Sequence, residues 1–131
     1  MSSDGKKKKI LVIDDEAPIA ELIAEFCEIL GFKTMVINSG KDVLETVKSF
    51  HPDLITLDLN MPDIPGAKVL AVLKKNSETE PIPVVIISAI AESNSTELND
   101  ERIKLSQAIM SKPIQIKKLK EKLSTFLKTE E

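Results

Sequence analysis

The chain has 131 residues, 42% hydrophobic and 30% charged, with a net charge of −3. That is the size and balance of one globular domain, and the acidic excess argues against a general nucleic-acid binder. No apolar stretch approaches membrane-span length, and the N-terminus lacks the apolar core of a signal peptide.

After a lysine run at residues 6–9, read as solvated, Ile10, Leu11, Val12 and Ile13 form an apolar run that ends on Asp14 and Asp15. A helix follows, in which Pro18 suits a first-turn position and Ile19, Leu22, Ile23, Phe26 and Leu30 recur at helical spacing. Gly31 supplies its stop. Cys27, the single cysteine, excludes an internal disulfide, fits a reducing cytoplasm and reads as packing beside that helix's apolar face. Residues 33–37 read as a second strand, and 40–50 as a second helix with Val43, Leu44 and Val47 inward. His51, a surface residue on this reading, turns with Pro52 and Asp53 into Leu54, Ile55, Thr56 and Leu57, which end on Asp58. Beyond a loop at 62–66, a third helix runs to residue 76 and buries Ala67, Leu70 and Leu73. Pro81 and Pro83 restart the chain before Val84, Val85, Ile86 and Ile87, which end on Ser88. Residues 92–106 are polar and offer only Leu98, Ile103 and Leu105 to a core, yet a crossover between parallel strands requires a helix there. Ala108, Ile109, Met110 and Ser111 then end on Lys112 and Pro113, and residues 115–127 form a last helix burying Ile116, Leu119, Leu123, Phe126 and Leu127.

Short β-favouring runs separated by amphipathic helices read as buried parallel strands, and five such β-α units make a three-layer α/β sandwich. Ligands of an open parallel sheet bind outside the carboxyl ends of its strands. There this sequence collects Asp14, Asp15, Asp58, Ser88 and Lys112. Two carboxylates about 4 Å apart repel by roughly 4 kcal/mol at an effective dielectric of 20. A divalent cation removes that repulsion, and an all-oxygen set, with a backbone carbonyl near Asn60 in reach, favours a hard ion such as Mg²⁺. Lys112 is a fixed positive charge opposite the acids, and Ser88 a short donor between them. Together they can surround the oxygens of a phosphoryl group, with Asp58 as a nucleophile that forms an acyl phosphate.

These motifs resemble those of response-regulator receiver domains of two-component signalling: Asp14-Asp15-Glu16, then Asp58 with Asn60, Met61, Pro62 and Gly66, then Ser88-Ala89, then Lys112-Pro113. The resemblance spans residues 8–127 of a single receiver domain, 1–131, with no DNA-binding output expected in the same chain. It implies a flavodoxin-like, doubly wound (βα)5 fold with a parallel sheet of order 2-1-3-4-5 and a cis Lys112–Pro113 peptide. It implies Asp58 as phosphoacceptor, Asp15 as direct ligand of Mg²⁺ (or Mn²⁺), Asp14 as its water-mediated neighbour and the Asn60 carbonyl as a further ligand. Ser88 and Lys112 would bind phosphoryl oxygens. The donor would be a sensor histidine kinase or histidine phosphotransfer protein, with a separate downstream protein target in the cytoplasm and no direct contact with nucleic acid or membrane.

The chain departs from the family pattern on its fourth and fifth units. Ile109 stands where the family has Tyr or Phe, Ile114 where it often has Phe and Leu105 where it commonly has Gly, and the Ser88–Lys112 interval is about two residues longer. The resemblance therefore implies standard phosphotransfer chemistry beneath an unusual output surface. Ile90, two past the hydroxyl, cannot orient water by hydrogen bonding, which leads to the expectation of slow self-dephosphorylation. Two rivals stand beside this reading. One is an interaction module that keeps the pocket but signals without phosphate. The other is an α/β phosphatase with an aspartyl nucleophile, disfavoured because Asp14 and Asp15 are adjacent and the best nucleophile lies on the third strand.

Overall fold

The computed structural model describes residues 7–89 and 101–127. Among them are five strands: β1 (Lys9–Ile13), β2 (Lys33–Ile37), β3 (Leu54–Leu57), β4 (Val84–Ser88) and β5 (Ala108–Ser111). Four α-helices accompany them: α1 (Ala17–Ile29), α2 (Val43–Phe50), α3 (Gly66–Lys75) and α4 (Ile116–Phe126). Every strand pairing is parallel, and the sheet order is β2-β1-β3-β4-β5, as the resemblance implied.

Alternation along the strands splits the core in two, because successive side chains point to opposite faces. On one face Leu11, Ile13, Ile55, Leu57 and Ile86 meet Val43, Val47, Leu70 and Leu73 of α2 and α3. On the other, Ile10, Val12, Leu54, Val85 and Ile87 meet Ile23 and Cys27 of α1 and Leu119 and Leu123 of α4. Covered on both sides, β3 and β4 are buried at every position. Cys27 lies wholly in this core, where burial first and the neighbouring Glu28 second push its thiol up to about 12; it is packing, as expected.

Four expectations need correction. Strand β5 is not a buried strand: it is the outer strand of the sheet among the described residues, paired with β4 alone there, and Ile109 is 39% exposed. The inward line of α1 is Ala20, Ile23, Ala24 and Cys27, while Leu22 is 40% exposed. Of the residues expected inward, Ile23 is buried and Ile19, Phe26 and Leu30 pack half-buried against the same core, so only Leu22 turns outward. A short 3-10 helix, Glu101–Leu105, occupies the end of the segment expected to be α-helical, with Ile103 buried and Leu105 exposed. Residues 90–100 lie outside the described part, and with them Leu98, Ile90 and the rest of that expected helix. Helix α2 begins at Val43, three residues later than expected, because Asp42 adopts a left-handed φ of 61°.

Gly66 opens α3 at a close approach. A Cβ there would come within 2.6 Å of the Leu59 Cα, and its N–H donates to the Leu59 carbonyl at 3.0 Å. The first turn of α3 is thereby pressed against the backbone just past Asp58.

Candidate functional site

The sheet ladder runs on beyond the strands and fixes the backbone of the polar residues that follow. The Asp58 N–H donates to the Ile13 carbonyl at 3.0 Å, and the Asp14 N–H to that of Ile37 at 3.2 Å. The Lys112 N–H donates to the Ser88 carbonyl at 2.9 Å. The Lys112–Pro113 peptide is cis. The structure thus brings all five candidate side chains to one end of one sheet. One carboxylate oxygen each of Asp14, Asp15 and Asp58 lies within 4.8 Å of the others. Asp14 is 1% exposed, Asp58 3% and Ser88 2%. Asn60 is exposed, two residues past Asp58.

Among the described residues one ammonium, that of Lys112, serves this cluster. Lys112 Nζ stands 3.0 Å from Asp14 Oδ2, 3.5 Å from Asp58 Oδ1 and 3.5 Å from Glu16 Oε1. The balance of charge shows in Asp58, whose carboxyl is pushed up to about 6. Burial is the largest cause and the Asp14 charge the next; Lys112 and the Asn60 backbone N–H oppose them, and Asp15 adds a smaller push upward. Burial alone would lower the Lys112 ammonium. Its hydrogen bond to Asp14 and the charges of Asp58, Asp14 and Glu16 outweigh that and hold it above the ordinary lysine value.

Asp14 Oδ2 faces the ammonium, but the buried Asp15 Oδ1 has no hydrogen-bond partner among the described residues. A buried acid oxygen without a donor is costly. Beside two further carboxylates it is a natural ligand for a hard divalent cation such as Mg²⁺. Such an ion would also draw the Asp58 pKa back down, since a bound cation inverts the local electrostatic balance.

Two residues of this region were assigned no role from the sequence. Asn38 donates from Nδ2 to the Asp14 carbonyl at 2.8 Å and so braces the first acid from β2's end. Glu16 donates its backbone N–H to Asp14 Oδ1 at 3.0 Å while its carboxylate reaches Lys112. No spacing rule points to Asn38. For Glu16 a signal existed: it stands where α1 begins, a position that favours Ser, Thr, Asp or Asn.

This geometry belongs to a known family. Residues 10–124 match the response regulator receiver domain, and the chain belongs to that family. Among curated relatives it is similar to the polar-differentiation response regulator DivK of Brucella ovis, at 30% identity over 92% of this chain and 96% of DivK. Among solved structures it is similar to the Francisella response regulator 1452 receiver domain, at 32% identity and a TM-score of 0.76, covering 92% of this chain and 96% of that one. It also resembles the response regulator TrrA of Thermotoga maritima in complex with Mg²⁺–BeF, at 28% identity and a TM-score of 0.80 over 92% and 99% of the two chains. Among the described residues no helix is long and apolar enough to cross a membrane.

Proposed function

We propose that this receiver domain accepts a phosphoryl group on Asp58 from a phosphohistidine of a sensor kinase or phosphotransfer protein, and that the modified pocket changes its affinity for a downstream protein in the cytoplasm. The observation that carries this reading is the placement of the Asp58 carboxylate. It stands 3.5 Å from the Lys112 ammonium and within 4.8 Å of an oxygen each of Asp14 and Asp15. A carboxyl with a pKa of about 6 is largely ionised at neutral pH and available as a nucleophile. One Asp58 oxygen attacks the phosphorus. The new O–P bond forms as the P–N bond breaks, and the electron pair leaves with the imidazole nitrogen, which takes up a proton. Asp14, Asp15, Asp58 and the Asn60 carbonyl would hold Mg²⁺, which when bound supplies neutralising charge to the phosphoryl oxygens. Lys112 and Ser88 bind the remaining oxygens and offset the charge of about −2 that arrives. Similarity to TrrA, known in complex with Mg²⁺–BeF, supports the same reading.

Acetyl phosphate with Mg²⁺, followed by intact-mass spectrometry, tests it. The wild type gains the mass of one phosphoryl group and Asp58→Asn gains none. An unmodified wild type would instead favour the phosphate-independent interaction module, which the exposed, non-aromatic Ile109 also suits.

A further inference from the structure

Glu16 is an unexpected residue for its position. It is the residue before α1, where a short polar side chain normally accepts a hydrogen bond from the first turn, yet its side chain makes no capping hydrogen bond. Its backbone is held by Asp14 instead, with φ −88° and ψ 101°, and its carboxylate leans 3.5 Å from the Lys112 ammonium. That ammonium already faces Asp14 at 3.0 Å and Asp58 at 3.5 Å. Of these three acids, Glu16 alone has an exposed side chain, at 58% against 1% and 4% for the other two. It therefore sits on the solvent side of the lysine, where an incoming group must arrive.

We propose that Glu16 is a positioning residue that acts through Lys112 as a charge filter on phosphoryl donors. The inference rests on Asp58 being the phosphoacceptor. An incoming phosphoryl group needs the ammonium as its counter-ion, and Glu16 competes for the same ammonium while repelling the incoming charge. The competition grows with the negative charge of the donor. It weakens as salt screens the exposed carboxylate. Neutralising Glu16 leaves the charges of Asp14, Asp15 and Asp58 untouched and breaks no capping hydrogen bond of α1.

The test compares wild type, Glu16→Gln and Glu16→Asp with two donors, the more negative acetyl phosphate and the less negative phosphoramidate, both with Mg²⁺. Initial rates of phosphorylation are read by intact mass. For Glu16→Gln the rate with acetyl phosphate rises about two- to fivefold, the worth of one partly exposed ion pair. The rate with phosphoramidate rises less, so the ratio of the two rates shifts, and added salt shrinks the shift. Glu16→Asp, which keeps the charge, stays near the wild-type ratio. If both proteins are modified and the ratio is unchanged, or both donors change in parallel, Glu16 is structural only and this inference falls while the assignment of Asp58 stands. If neither donor modifies the wild type, the assignment of Asp58 falls and this inference with it.

Discussion

The carboxyl ends of β1 and β3 and the outer strand β5 belong to one sheet but are built in opposite ways. At the first, Asp14, Asp15 and Asp58 crowd together beside Lys112, and one buried oxygen of Asp15 has no donor among the described residues. At the second, the strand has no outer neighbour among the described residues, Ile109 is exposed, and so is Leu105 just before the strand. The difference separates where free energy is stored from where a partner can reach. The acidic end is electrostatically frustrated, so a change of charge there has a large effect. At the β5 edge Met110 is buried but the Ile109 side chain is exposed, so a change at Ile109 should cost the fold little. The two ends are joined directly, because the backbone N–H of Lys112 donates to the carbonyl of Ser88.

The largest effects should come from breaking the acidic end. Lys112→Ala removes the ammonium facing Asp14, Asp58 and Glu16. Phosphorylation by acetyl phosphate should slow by about tenfold or more, as expected when a charge-stabilising group is lost. The metal-free protein should lose roughly 2 kcal/mol in urea unfolding, because buried carboxylates are left unpaired. Next in size is Gly66→Ala, whose Cβ would collide with the chain at Leu59. A loss of about 1–3 kcal/mol is expected from such overpacking, measured by the same unfolding. A Gly66→Ala protein as stable as wild type would show that α3 can retreat from the Asp58 loop.

The pH dependence sharpens the same contrast. The Asp58 carboxyl rises from an ordinary 3.8 to about 6 on folding, so the folded state binds its proton more tightly than the unfolded state does. Its contribution to stability is fully present below pH 3.8 and is lost as pH rises through 6. In metal-free protein this amounts to about 1–3 kcal/mol between pH 4 and pH 7. Asp58→Asn should remove that slope, and Mg²⁺ should offset the loss at pH 7 by binding the ionised cluster. Thermal unfolding across that pH range, with and without Mg²⁺, reads all three.

The smallest effect on the protein itself belongs to Ile109→Ala, within about 0.5 kcal/mol because the side chain is substantially exposed. Its effect should appear instead as weaker capture of a downstream protein by the beryllofluoride-treated domain. An Ile109→Ala domain that unfolds readily would mean that the β5 edge carries core energy after all.

Much of this was legible from residue order. The runs at β1, β3 and β4 are almost wholly apolar because their strands are covered on both faces, and each ends at a polar residue of the site. The four motifs placed Asp14, Asp15, Asp58, Ser88 and Lys112 together before any coordinates did. What failed had physical causes. Composition cannot separate an outer strand from an inner one when both carry aliphatic residues, so β5 read as buried. In α1 the large residues drew the reading and Ile23 was placed correctly, but the small Ala20, Ala24 and Cys27, which share its buried line, were passed over or only put beside it, and Leu22 was counted inward in error. Glu16 entered only as the last residue of the first motif and was given no role, since its link to Lys112 joins residues 96 apart in the chain. Asn38 was hidden for the same reason, its partner lying 24 residues away.

The claim on which the rest depends is that residue 58 carries the phosphoryl group. Borohydride reduces an acyl phosphate of aspartate to homoserine, so treating the acetyl phosphate reaction with borohydride and sequencing the peptides by mass spectrometry locates the modified carbonyl. The account predicts homoserine at position 58 and nowhere else, formed only when Mg²⁺ is present. Conversion at Asp14 or Asp15, or at no aspartate in a protein that has gained phosphate, would contradict it.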